Sequence, residues 1–308
     1  MQKKRPKILF ALLVAVALIY GALVGYAYFP ANHTVDPQSL AGPESHFVVV
    51  EGKRIHYVQQ GSGSPVVLIH GFGGSTYTWR KLMPLLATKH TAVALDLPGF
   101  GLSDKPPRGD YSLAAQARTV LGFLDVLSIA QPTLIGHSMG GVIAASAAVQ
   151  RPAHIGKLVL VEPGFYHGRA PAFLKYLIFP LPKIFAKSFY TPEGRSRTLT
   201  SSFYHKELVT DELLNAYLLA GKTPHAIDAL AHMMRTVSDE SYDTISTRIT
   251  TPTLLVWSRH NPSNPLSDGE RLHREIQGST LVVLEDSGHY IQEEQPVKLA
   301  QTIFDFID

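Results

Sequence analysis

The apolar pattern of this chain begins with an unbroken run. Residues 8–29 carry no charged side chain. A helix of that length reaches roughly 33 Å at about 1.5 Å per residue, enough to cross the hydrocarbon core of a bilayer. Residues 30–45 are rich in proline and small residues and read as a linker. From residue 46 the pattern changes to short apolar runs separated by segments of helical spacing. Runs at 46–50 and 53–59, joined by Glu51-Gly52, predict a strand pair. Continuous apolar runs at 65–70, 91–96, 131–135, 157–162 and 252–257 predict strands buried on both faces, with a further strand at 280–284. Helices are expected at 75–87, 112–127, 141–149, about 268–276, and from 296 to the end. Such alternation implies an α/β fold, a mostly parallel sheet flanked by helices. It stops between 164 and 248, where an aromatic-rich, helical pattern predicts a cap inserted at one end of the sheet. The expected organisation is therefore an anchor at 1–30, a linker at 31–45, a core at 46–163 and 249–308, and a cap at 164–248.

Charge adds a topology. The formal net charge is +3, and Lys3, Lys4, Arg5 and Lys7 supply four positive charges, which leaves −1 for the remainder. The basic character is thus confined to the start and gives no reason to expect nucleic-acid binding. Basic residues ahead of an apolar span stay cytoplasmic, so the expected topology is a single-pass signal anchor. The rest of the chain then lies on the exported side, a bacterial periplasm or a eukaryotic lumen or exterior. The competing reading is a signal peptide cleaved near Gly25-Tyr26-Ala27, although a cleaved apolar region is usually only about 7–15 residues. The absence of cysteine excludes disulfides, thiolate zinc sites and cysteine nucleophiles.

The candidate chemistry centres on Gly136-His137-Ser138-Met139-Gly140, between an expected strand and a small-residue helix. That is the setting in which G-x-S-x-G forms a nucleophile elbow, with the serine hydroxyl raised above the sheet. His70-Gly71-Phe72-Gly73-Gly74 ends an earlier strand and can bring backbone N–H groups close to a ligand, so Phe72 and Met139 N–H are the expected oxyanion donors. Asp96-Leu97-Pro98-Gly99-Phe100-Gly101 reads as a tight turn held by the aspartate. His289 follows the last strand within Asp286-Ser287-Gly288-His289, which suits the chain order serine, acid, histidine. It would take the serine proton and return it to the leaving group.

Together HGFGG, DLPGFG, GHSMG and SGH resemble the α/β-hydrolase fold family over residues 46–163 and 249–308, in the family's order and approximate spacing. The resemblance points to cap-bearing esterases, monoacylglycerol lipases and carbon–carbon bond hydrolases, and the apolar start to an anchored lipase branch. It implies a serine hydrolase of carboxylic esters without metal or organic cofactor. In most such proteins the triad acid follows the strand at 253–257, in a pattern like W-G-x-x-D-x-x-V-P. Here Asn261 stands at that position. An amide cannot stabilise an imidazolium, and it can hold the histidine in the wrong tautomer. In serine-protease triads that swap costs about 10⁴ in turnover, roughly 5 kcal/mol of barrier. Glu162, at the end of the preceding sheet strand, is the expected substitute acid; Asp243, Asp268 and Asp286 are the other carboxylates, with Asp268 read as a helix N-cap. If no acid serves, the chain is a slow enzyme or a fold retained for binding.

Residues 171–189 are apolar and aromatic, with Lys175, Lys183 and Lys187 interspersed. Such a segment suits a membrane interface or the core of the cap. Tethering beside an apolar cap favours a lipid-like ester as the small-molecule substrate. Cleavage of a carbon–carbon or amide bond on the same framework is the alternative.

Overall fold

β3 (Pro65–Ile69) shows how the core is built. Val67 and Ile69 point to one side, into a cluster with residues of the helices Leu113–Val126 and Met139–Gln150. Val66 and Leu68 point to the other, against Trp79, Met83, Leu86 and the C-terminal helix Pro296–Ile307. The period-2 alternation of a strand distributes a continuous apolar run between two cores. The computed structural model describes residues 5–29, 34–166, 179–236, 244–261 and 263–308.

The same logic extends across one sheet. Its other strands are β1 (Ser45–Val50), β2 (Lys53–Gln60), β4 (Thr91–Leu95), β5 (Thr133–His137), β6 (Lys157–Val161), β7 (Thr253–Ser258) and β8 (Thr280–Leu284). They lie in the order β1-β2-β4-β3-β5-β6-β7-β8. β2 runs antiparallel to β1 and β4, and every pair from β4 to β8 is parallel. The expected strands are all present. The helix expected at 112–127 forms as Leu113–Val126, started by Ser112, whose Oγ accepts the Ala115 N–H at 3.2 Å.

Two local expectations are corrected. The helix expected at 75–87 is broken into a 3₁₀ turn, Thr76–Trp79, and one short helix, Met83–Leu86. Pro84 lies in the first turn of the second piece, and a proline there lacks the N–H that a continuous helix would need. Asp268 is not an N-cap: Pro265 takes that position, and Asp268 lies buried in the first turn of the helix Leu266–Glu275. Asp243 and residues 171–178 lie outside the described residues.

Between β6 and β7 the helices Leu181–Phe189, Pro192–Ser202, Asp211–Leu218 and Ala226–Thr236 form an insertion. Polar groups tie it to the sheet domain. Arg195 Nη2 donates to Gly73 O at 2.7 Å, and Tyr217 Oη donates to Thr78 Oγ1 at 2.8 Å. The N-terminal helix, Arg5–Tyr28, includes a stretch, Phe10–Tyr28, that is long and apolar enough to cross a membrane. Its end rests on the insertion. Lys187 Nζ donates to Tyr26 O at 2.9 Å, and Lys183 Nζ sits 4.1 Å from the centroid of the Tyr28 ring.

Trp257, at the end of β7, is fully buried beneath Gly269, and its Nε1–H donates to Asn264 O at 2.9 Å. Trp257→Ala is expected to lower unfolding free energy by about 3–5 kcal/mol, the usual cost of an emptied aromatic site, in urea titrations. An unchanged midpoint would show that the turn after β7 does not depend on this packing.

Candidate active site

The turn between β5 and the helix Met139–Gln150 leaves no space for side chains at its two glycines. A Cβ on Gly136 would lie 2.3 Å from Gly140 O, and one on Gly140 would lie 2.2 Å from Ile69 O. Ser138 between them has φ 53° and ψ −120°, a conformation that costs a non-glycine residue of order 1–3 kcal/mol. Its backbone is held on both sides: Ser138 N–H donates to Val161 O at 3.0 Å, and Gly141 N–H donates to Ser138 O at 3.0 Å. Over-determination of this kind keeps the strained residue in place and lifts the side chain off the sheet. Ser138 lines a cavity together with Gly71, Phe72, His137, Thr198, Ser202 and His289.

Beside it, the loop after β3 is fixed by a buried histidine. His70 Nδ1–H donates to Gly71 O at 2.7 Å, and its Nε2 accepts the Leu97 N–H at 3.1 Å. Burial lowers the pKa of His70, which suits this neutral role. The loop turns through Gly73, at φ 66°, and leaves Phe72 on the cavity wall. Met139 is the first residue of the elbow helix, where an N–H has no intrahelical acceptor. The Asp96 turn is a brace for this loop. Asp96 accepts from Thr76 N–H at 2.6 Å and Leu102 N–H at 2.7 Å and pairs with His56 Nδ1 at 2.8 Å. Burial works to raise its pKa, but His56 and these donors prevail and hold it down at about 2.

His289 reaches the cavity from the loop after β8. Its backbone is gripped from two directions: its N–H donates to Ser202 O at 2.8 Å, and its carbonyl accepts His137 Nε2–H at 2.8 Å. Removal from water lowers the His289 pKa to about 4, so the ring is neutral at physiological pH. Its Nδ1 lies 2.8 Å from Asn261 Nδ2, which also donates to Glu162 Oε2 at 2.8 Å. Glu162 is fully buried and accepts further from Ser258 N–H at 2.5 Å and Asn264 Nδ2 at 3.2 Å. Glu162 therefore reaches His289 through the Asn261 amide rather than directly. Burial pushes its carboxyl up to about 8 against the pull of these donors. Asp286 is exposed; its backbone carbonyl accepts Gln295 Nε2–H at 2.6 Å. The Ser138 hydroxyl makes no hydrogen bond to a described residue.

Several positioning groups lie outside what sequence reasoning singled out. Glu294 accepts three backbone N–H groups, of Tyr204, His205 and Gly288, each at 2.8 Å, and so joins the insertion to the His289 loop. Arg195 is buried between the Phe189 and Tyr217 rings and grips the loop after β3. No local sequence signal marks either residue. His137 sits inside the G-x-S-x-G motif, at a position the motif leaves free, and only its bond to the His289 carbonyl reveals a task.

A family description, alpha/beta hydrolase fold, matches residues 64–296. The chain belongs to that family, and it is accordingly a hydrolase of the α/β fold. It is 31% identical over 261 residues to an uncharacterized hydrolase of Bacillus subtilis, YugF, spanning 84% of this chain and 96% of that protein. It is 29% identical over 282 residues to a 2-hydroxy-6-oxo-6-phenylhexa-2,4-dienoate hydrolase of Burkholderia cepacia, spanning 85% and 96%. Among solved structures, a membrane phospholipase A described as a bacterial virulence factor superposes with a TM-score of 0.72 at 26% identity, covering 100% of this chain and 98% of that one.

The raised Glu162 pKa has a consequence for stability. The folded protein keeps a proton that the unfolded chain releases near 4.5, so the Glu162 contribution to folding stability is greatest below that value and falls as pH rises to about 8. Glu162→Gln removes this loss. Its urea midpoint is expected to match wild type near pH 4 and to exceed it increasingly towards pH 8; parallel curves at all pH values would show that Glu162 is ionised throughout.

Proposed function

We propose that this hydrolase cleaves carboxylic esters of lipid-like substrates through an acyl-enzyme on Ser138, beneath the insertion acting as a cap. One observation carries the reading: Ser138, raised on a strained elbow, lines one cavity with His289 and with Gly71 and Phe72 of the loop after β3. Ser138 Oγ attacks the ester carbonyl while His289 Nε2 takes its proton. The Phe72 and Met139 N–H groups receive the negative charge that develops on the carbonyl oxygen. His289 returns the proton to the departing alcohol, and a water activated the same way releases the acid.

Two observations support a substrate from a membrane. The apolar N-terminal helix ends against the insertion, through Lys183 and Lys187 on Tyr28 and Tyr26, so a bilayer-spanning helix would hold the cap beside the lipid surface. The membrane phospholipase A likeness extends over the whole chain, that helix included. In this reading the helix is an uncleaved anchor with the catalytic domain on the exported side. A second reading, carbon–carbon bond hydrolysis, draws on the dienoate hydrolase relative. A third, a fold retained for binding, draws on the Asn261 amide that faces His289.

A fluorophosphonate probe separates the enzyme readings from the last. Wild type is expected to label, Ser138→Ala not at all, and His289→Gln at least about 10² times more slowly, the usual worth of a general base. Failure of wild type to label sinks the serine-hydrolase reading. Turnover of acyl esters against dienoate ketones, measured on the same preparation, decides between ester and carbon–carbon chemistry. The anchor is tested separately: deleting residues 1–29 is expected to move the protein from carbonate-washed membranes to the soluble fraction, and equal solubility of both forms would remove it.

A further inference from the structure

The amide of Asn261 lies between a carboxyl group and a histidine ring, and its orientation decides what the ring can do. We infer that Glu162 is a positioning residue that acts on His289 through Asn261, its protonation choosing which ring nitrogen is free to take the Ser138 proton. The inference rests on the proposed role of His289 as the base for Ser138.

With Glu162 ionised, the arrangement is the one described above. Asn261 Nδ2 gives one hydrogen to Glu162 Oε2 and the other to His289 Nδ1, each at 2.8 Å. A ring nitrogen that accepts a hydrogen bond carries no proton, so the proton of neutral His289 sits on Nε2. In that tautomer Nε2, the nitrogen assigned to take the Ser138 proton, cannot accept from it. With Glu162 protonated, the reversed amide is the better partner. The Glu162 hydroxyl then donates to Asn261 Oδ1, and His289 Nδ1–H donates to the same oxygen, which has two lone pairs. Nε2 is left bare and basic. Reversal withdraws Asn261 Oδ1 from Ser263 N–H, now 3.0 Å away, but Ser263 is exposed and its N–H can turn to water.

The surroundings leave this exchange to Glu162. It is fully enclosed, and its other partners are the Ser258 N–H and the Asn264 amide, which accept no proton. On the His289 side, the titratable groups among the described residues are His137, 4.7 Å away ring to ring, Tyr290, at 5.6 Å, and Glu294, which meets the loop at the Gly288 N–H at 2.8 Å. Burial keeps the two rings neutral, and Glu294 is bound to backbone N–H groups and not to the His289 ring. In the turn after β7, the Arg259 guanidinium pairs with Glu285 at 2.9 Å and the His260 ring stacks on Tyr204, so both look elsewhere.

The test uses the full-length protein in detergent, as wild type, Glu162→Gln, Asn261→Ala and the double variant. A short p-nitrophenyl ester reports turnover, and ¹⁵N-histidine NMR reports the His289 tautomer, assigned by the loss of signal in His289→Gln. A group titrating at about 8 passes from mostly protonated to mostly ionised between pH 7 and pH 9, so wild-type kcat is expected to fall about tenfold across that interval. The His289 signal should shift from the Nδ1–H to the Nε2–H pattern in the same interval. Glu162→Gln, which always offers a donor, should keep its kcat across the interval and show Nδ1–H at both ends. In the Asn261→Ala background the Glu162→Gln change should have no further effect on the pH profile. An alkaline fall that persists in Glu162→Gln, or a Glu162 effect that survives without Asn261, overturns the inference. Should wild type neither label nor turn over esters, the ester reading fails alone. The tautomer shift is still measured, and a His289 signal unchanged between pH 7 and pH 9 overturns the relay by itself.

Discussion

Backbone from β3 and from the start of the helix Met139–Gln150 come together at Gly140 with no room for a methyl group between them. The helix can approach the carbonyls of Ile69 and His70 that closely only because Gly140 lacks a Cβ. Gly136 allows the same approach on the other side of the turn, towards Gly140 itself. Everything proposed for the site follows from this contact. It sets the height of Ser138 above the sheet, fixes the direction of the first helical N–H groups, and brings the loop after β3 against the serine. The strain at Ser138 is tolerated because β6 supplies Val161 O and the helix supplies Gly141 N–H, and neither can relax without breaking a buried hydrogen bond.

A second layer of order comes from polar groups withdrawn from water with their partners. Asp96, His70 and Arg195, all buried, and the half-buried Glu294 each join two segments that are far apart in the chain. A buried carboxylate or guanidinium without partners would cost several kcal/mol, so each one commits the loops around it to a single arrangement. The insertion is thereby tied to the loops that line the Ser138 cavity through polar contacts, at Gly73 and at the segment around His289, and not through apolar packing alone. Movement of the insertion would thus be felt at the loops that present Phe72 and His289.

The site was legible in the chain to different depths. GHSMG, HGFGG and SGH sit at strand ends, and an open α/β sheet gathers its strand ends along one edge, so their convergence followed from order alone. Asn261 was legible as a departure, yet its effect was not. The chain shows an amide and a carboxylate separated by 99 positions, and nothing in that spacing says that one amide hydrogen bonds to the carboxylate and the other to a histidine. The broken helix at 75–87 is a smaller case: helical periodicity persisted through Pro84, and the missing N–H overrode it.

By itself the sequence determined the parallel sheet, because apolar runs of strand length alternating with amphipathic helices can be buried in few other ways. It also determined the elbow, because two glycines around a serine between strand and helix answer a steric demand confined to five residues. Tertiary structure alone decided which groups meet across the chain: Arg195 with Gly73, Glu294 with three N–H groups, and Glu162 with His289 by way of Asn261. Those contacts depend on side-chain direction and on exclusion of water from particular places. Both arise only when distant segments pack, and neither leaves a local pattern to read.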